Sequence, residues 1–340
     1  MQNNLVYRSS NIELCRIISI LLVIVLHSSF YSLGFPETKD SFTWFPAVLE
    51  SFSIVGAPVF VLITGYFSTR PKIENFINIF FICLFSAAVI VIKKYFDSGG
   101  VSFQDMFVVS QSNWFVLAYL GLICFSPILN AFVDNVSKRQ LLNCIIILLA
   151  FQTWFGFCPA YFFNHAVYKG YNNGYSIISF MNLYLIGRFV KLYGLPKIVK
   201  DYSLFFYFVL SLLILFCFYW LNKHDMTASV AFSYANPLVI ASSICFFVFF
   251  CNLEIKSSKI INHLAKSTLT VLILHLSKDA FFPLFKSQFV YLYSNTHGLI
   301  RIAYWVLSIL VVFLTFTLID QMRLLLYKPV KNILAKYTKC

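Results

Sequence analysis

Long apolar runs alternate along the chain with short polar breaks. Ten runs stand out, at residues 12–33, 45–68, 75–95, 113–133, 141–157, 175–190, 203–221, 235–252, 267–287 and 299–321. A helix of about 20 mostly apolar residues crosses a bilayer. The fifth run is short, and the ninth is interrupted by Lys278 and Asp279, with Pro283 as a further breaker inside it. The runs are continuously apolar rather than alternating, which excludes a transmembrane β-barrel. Lipid offers no partner to backbone amides, so the segments are expected to be helices. The pattern predicts an all-α, polytopic membrane bundle of about ten helices that fills residues 1–340 as one domain, with no fused extracellular domain, internal repeat or low-complexity linker.

Composition narrows the class. Of 340 residues, 60% are hydrophobic, 19% aromatic and only 11% charged, and mean hydropathy is +0.79. An ordinary soluble domain carries about 25% charged residues. So few charges cannot make an aqueous surface, which rules out a soluble globule, a disordered chain and a secreted disulfide scaffold. The formal charge of +13 would suggest nucleic acid in a soluble protein. Here the positions of the charges give another explanation. With the N-terminus inside, 18 of the 26 Lys and Arg fall on the inner side and 8 on the outer. That bias predicts cytoplasmic termini at both ends and no nucleic-acid partner. The nine cysteines form no CxxC pair or metal spacing and mostly lie in apolar runs, where they read as small buried hydrophobes. The first run carries Arg16 and His27 and lacks an A-x-A site, so it reads as a retained span rather than a signal peptide.

An ionisable group within a span is costly and is a functional candidate by default. In the first run Arg16 precedes His27 by eleven residues. At about 100° per residue, that is within roughly 20° of three full turns, so the two share a helix face about 16 Å apart along the axis. They are expected to line a common cavity, Arg16 near the inner rim and His27 near mid-membrane. Glu13 lies one turn before Arg16 and can pair with it. Arg suits phosphate or carboxylate, and a neutral imidazole suits taking a proton from a hydroxyl. A snorkelling anchor and an interhelical hydrogen bond are the bland alternatives for the two residues.

The stretch from Glu13 through Arg16 to His27 resembles the first helix of acyltransferase family 3, bacterial integral-membrane acyltransferases whose opening signature is Arg, ten residues, His. Val59–Phe67 is similar to the family's second-helix ending, Trp114–Tyr119 with Ser126-Pro127 to its fourth-helix region, and Leu185–Arg188 and Ser267–His275 to later motifs. One departure lies after the second helix. The family often has Arg-x-x-Arg there, whereas this chain has Arg70-Pro71-Lys72-Ile73. The resemblance implies a multi-pass enzyme of the bacterial cytoplasmic membrane that moves an acyl group, acetyl by preference, from acyl-CoA to a hydroxyl of a surface polysaccharide or other glycan. It has no bound cofactor, and acetyl-CoA serves as donor substrate. On this reading His27 is the general base, or a brief acyl carrier. Arg16, Arg70 and Lys72 hold donor phosphates, and Glu13 orients Arg16.

Trp114 is expected near the outer interface, where amphipathic rings gather. With Tyr119 and His275 it is also a candidate for cavity lining. The outer loop 158–174 offers Tyr161, Asn164, His165 and Tyr168, rings and amides able to hold a sugar by stacking and hydrogen bonding. A glycan or lipid-linked-intermediate transporter without chemistry is the alternative, but the paired broken helices common in transporters are not evident in the sequence. A glycan polymerase would want a larger outer loop.

Overall fold

A computed structural model of the protein describes residues 9–37, 39–101, 113–158 and 171–337. Among these residues the regular structure is helical, with no strand. Eight stretches are long and apolar enough to cross a membrane. They account for all the predicted runs but the sixth and ninth. The sixth forms a 17-residue helix, Ile177–Tyr193. The ninth is broken in two.

The helices are α1 (Ser10–Ser28), α2 (Phe30–Leu33), α3 (Trp44–Ser53), α4 (Gly56–Tyr66), α5 (Ile73–Ser98), α6 (Trp114–Asp134), α7 (Lys138–Gly156) and α8 (Ile177–Tyr193). They continue with α9 (Lys197–Asp201), α10 (Ser203–Lys223), α11 (Pro237–Asn252), α12 (Lys259–Leu264), α13 (Thr268–His275), α14 (Phe282–Asn295) and α15 (Gly298–Tyr337). Local chemistry sets several ends. Ser137 and Gln140 form a reciprocal capping box at the start of α7, which satisfies two otherwise orphaned donors. Asn236 caps α11 through the Leu238 N–H, with Pro237 in the first turn, where a missing N–H costs nothing.

Three predicted runs are broken. The first breaks at Ser29 between α1 and α2, the second at Ile54-Val55 between α3 and α4, and the ninth across residues 276–281 between α13 and α14. Lys278 and Asp279 sit exposed in the third break, and Pro283 opens α14. The ninth run breaks where the sequence already showed an interruption, whereas the breaks in the first and second runs go against the sequence reading. The first break is held from another helix: the Glu50 carboxyl group of α3 hydrogen-bonds the Ser29 hydroxyl and the Phe30 backbone N–H.

The centre of the bundle is built from α1, α3, α4, α8, α11 and α13. The closest approach is between α4 and α8. A Cβ on Gly65 would stand 2.2 Å from the Tyr184 carbonyl oxygen, and one on Gly187 2.3 Å from that of Leu62. Small residues let backbones meet this closely where lipid supplies no hydrophobic drive between helices. Buried polar groups add pairwise ties. Ser211 and Ser242 pair across α10 and α11 at 3.3 Å. On α15, Asp320 and Arg323 form a fully buried ion pair at 2.5 Å, and the Thr270 hydroxyl of α13 donates to the same carboxylate. Arg323 was legible only as an inner-side charge. In the fold it pairs with Asp320, whose carboxylate fastens α15 to the half-helix that carries His275.

Candidate active site

Helix α1 is continuous through both Arg16 and His27, so the eleven-residue spacing translates directly into about 16 Å along one axis. At its N-terminal end, Arg16 donates from Nη1 to Glu13 Oε1 at 2.5 Å, and its guanidinium lies 5.7 Å from the centre of the Phe67 ring. Glu13 is buried, while the Arg16 side chain stays 27% exposed. The carboxylate therefore fixes a cation that still faces outward, the arrangement needed to meet a second anion. Phe67 begins the loop that carries Arg70 and Lys72, both exposed. Arg16 and that loop thus belong to one end of the bundle. Arg188 stands near the same end, buried beside Asp134 at 3.4 Å, with its Nε unpartnered among the described residues. Lys191 lies 4.5 Å over the Tyr66 ring.

His27 lies at the other end of α1, just before the Ser29 break. It lines a cavity of about 730 Å³, a size usual for small-molecule sites. Val23, Leu26, Ile54, Ala57 and Leu272 give the cavity an apolar lining, and the Tyr31 ring adjoins the imidazole. The rest of the wall is polar and aromatic, with Glu50, Asn113, Trp114, Tyr175, Ser233 and Tyr234. Asn172, Asn173, Thr227, Ser229 and Lys278, from connections at the end opposite Arg16, complete it. The Trp114 ring meets Tyr175 edge-on at 4.5 Å and Tyr234 at 5.9 Å. Gln152 donates to the Tyr234 carbonyl at 3.2 Å and holds that wall in place.

The imidazole of His27 does not stand alone. Its Nδ1 is 3.0 Å from Nε2 of His275, and Nδ1 of His275 is 2.6 Å from the Val271 carbonyl oxygen. The Tyr31 ring packs 5.4 Å from that of His27. Trp305 Nε1 donates to the neighbouring Ser28 hydroxyl at 2.9 Å and pins the end of α1.

The sequence-predicted residues separate into groups. Glu13 and Arg16 pair as expected, with Arg70 and Lys72 at the same end. His27 and Trp114 lie on the cavity wall. Tyr119 does not: it accepts from the Thr64 hydroxyl at 3.3 Å and stacks on Phe115. His275 is fully buried behind His27 rather than on the wall. Tyr161, Asn164, His165 and Tyr168 lie outside the described residues. Among the described residues, the cavity that His27 lines does not include Arg16. Along α1 the cavity reaches Val23 and stops, seven residues and about 10 Å short of Arg16. Ser19 and Ile20 are fully buried there, and a Cβ on Gly56 would stand 2.8 Å from the Ser19 carbonyl oxygen and from Val23 Cγ2. Glu50, Tyr175 and Tyr234 were missed by sequence reasoning. Glu50 lies inside a predicted span, in its first third, and an acid there was a signal available to the rule that marked Arg16 and His27.

These features define a multi-pass helical membrane protein with a mid-bundle imidazole on a cavity wall and a paired guanidinium at the far end of the same helix. A family model described as an acyltransferase domain matches residues 9–320, nearly the whole chain. The protein belongs to acyltransferase family 3. No curated protein and no solved structure matches it significantly.

Proposed function

We propose that the protein transfers an acyl group, acetyl by preference, from acyl-CoA to a hydroxyl of a bacterial surface polysaccharide or glycan precursor. In this reading the chain crosses the cytoplasmic membrane ten times with both termini inside. The observation that carries it is the placement of His27 on the wall of a cavity lined also by connections from the end of the bundle opposite Arg16. An acceptor entering from outside would meet the imidazole directly. A donor held from inside by Arg16, Arg70 and Lys72 would have to send its slender thioester arm past Ile20 and Val23. Family membership supplies the acyl-transfer chemistry, and the polar, aromatic part of the wall suits a sugar by stacking and hydrogen bonding.

A sugar hydroxyl is a poor nucleophile at neutral pH and needs a base. His27 takes its proton while the oxygen attacks the thioester carbonyl. The carbon–sulfur bond breaks, and the imidazolium returns the proton to the departing thiolate. Products are the O-acyl glycan and free CoA. In the covalent variant His27 first accepts the acyl group and then passes it to the hydroxyl. Arg16, held by Glu13, contributes charge-assisted binding of donor phosphate in either case.

A transporter for a glycan or lipid-linked intermediate is the second reading. The three broken spans favour it, because transporter sites are built at discontinuous helices. Acetyl content of surface glycan in cells carrying His27→Ala decides between them. Loss of acetylation at normal protein level supports the enzyme. Wild-type acetylation rules out the proposed role of His27.

A further inference from the structure

The hydrogen bonds behind His27 fix which of its nitrogens can react. The Val271 carbonyl oxygen can only accept, so at 2.6 Å the Nδ1 of His275 must carry the hydrogen. His275 is fully buried, and among the described residues its two nitrogens meet only that carbonyl and the other imidazole. A charged ring without a carboxylate there would be an uncompensated buried cation, so the ring is neutral. A neutral imidazole has one donor and one acceptor nitrogen. Nε2 of His275 is therefore the acceptor, and at 3.0 Å it must receive the Nδ1–H of His27. That leaves Nε2 of His27 with a bare lone pair.

We propose that His275 is a positioning residue that locks His27 in its Nδ1–H tautomer, so that Nε2 is the reacting atom. This rests on the acyl-transfer reading for its consequence but not for its geometry. In the base mechanism Nε2 takes the acceptor's proton, and the Nδ1–H bond to His275 steadies the imidazolium until the proton passes to the CoA thiolate. In the covalent variant the same Nε2 carries the acyl group. The arrangement does for tautomer and ring orientation what a buried carboxylate does in hydrolase triads, here with a neutral acceptor suited to a low-dielectric site. It also gives a purpose to two neighbouring structures. The half-helix α13 ends at His275, and the Val271 carbonyl belongs to its preceding turn. The buried Asp320–Arg323 pair clamps the same half-helix through Thr270.

The test uses full-length protein in lipid with 15N in its histidine rings. The His27 signals are assigned by their loss in His27→Gln. The expected spectrum shows His27 protonated on Nδ1 and bare on Nε2, and His275→Met, which removes the acceptor, gives a mixture of tautomers. A His27 ring protonated on Nε2 in the wild type overturns the proposal, whether or not the protein transfers acyl groups. If the wild type releases CoA, His275→Met should lower kcat about a hundredfold, the low end of what a positioned general base contributes. Its KM for acyl-CoA should stay unchanged, and His275→Gln, whose amide oxygen can accept from Nδ1–H, should recover most of the loss. A His275→Met protein that keeps both the single tautomer and wild-type kcat also overturns it. A wild type inactive on acyl-CoA but with the expected spectrum removes the acyl-transfer reading and leaves the tautomer lock standing.

Discussion

The second span and the third teach opposite uses of apolar sequence. In Trp44–Tyr66, 78% of an 18-residue apolar stretch is buried inside the protein, whereas in Ile73–Ser98 only 28% is. Yet the third is the more apolar of the two. In water the most apolar element would be the most buried; in a bilayer the lipid-facing side of a helix must be apolar, and a helix surrounded by protein can carry more polar groups. The second span accordingly holds the buried polar residues Glu50, Ser51, Ser53 and Thr64. It breaks at Ile54-Val55 and supplies Glu50, Ile54 and Ala57 to the cavity. The third presents Phe80, Leu84, Ile92 and Phe96 outward.

This contrast predicts where substitutions matter. His27→Ala, at the centre, should cost about 10²–10⁴-fold in turnover, the usual worth of a positioned general base, with unchanged yield of folded protein. Arg16→Ala should raise the donor KM roughly ten- to hundredfold, since a hydrogen bond to a charged group is worth about 1.5–3 kcal/mol. Arg16→Lys should restore part of it, because the charge returns without the planar fork. A KM for donor unchanged in Arg16→Ala would detach the inner end from the site.

Packing gives the next effects. Gly65→Val should destabilise the protein by about 1–3 kcal/mol through overpacking, read as a lower thermal midpoint in detergent. Gly100→Ala, where an added Cβ meets nothing within 4 Å, should leave the midpoint in place. Trp114→Ala should raise the acceptor KM some 2–10-fold, the scale of an aromatic contact, with the donor KM unaffected. Phe80→Ala, on the lipid side, should stay within about 0.5 kcal/mol of wild type. A large loss there would make the third span part of an interface rather than a lipid wall.

Span positions were legible because lipid leaves an apolar run of fixed length as its signature. The first run, read as 12–33, is realised over Ser10–Leu33, and 203–221 over Ser203–Lys223. The Arg16–His27 relation was legible because it lies within one helix of known pitch. The breaks at Ser29 and Ile54-Val55 were not: the polar residues around Ser29 read equally well as the end of a span, the first break is stabilised by Glu50 from another helix, and hydropathy does not fall at Ile54-Val55. The His27–His275 contact joins residues 248 apart in sequence, and no local pattern encodes it. Helix α15 runs to Tyr337 rather than ending near 321, because helix formation does not require apolar residues once the chain has left the lipid. The blocked stretch between Val23 and Arg16 depends on how Gly56 seats against α1, which spacing alone does not specify.

The central claim is that the His27 imidazole drives acyl transfer at the cavity wall. Its most direct test is thiol release by purified protein given acetyl-CoA and a soluble glycan acceptor, wild type beside His27→Ala. Acceptor-dependent release of CoA by the wild type, lost in the variant, is the predicted result. Equal release by both proteins would contradict it.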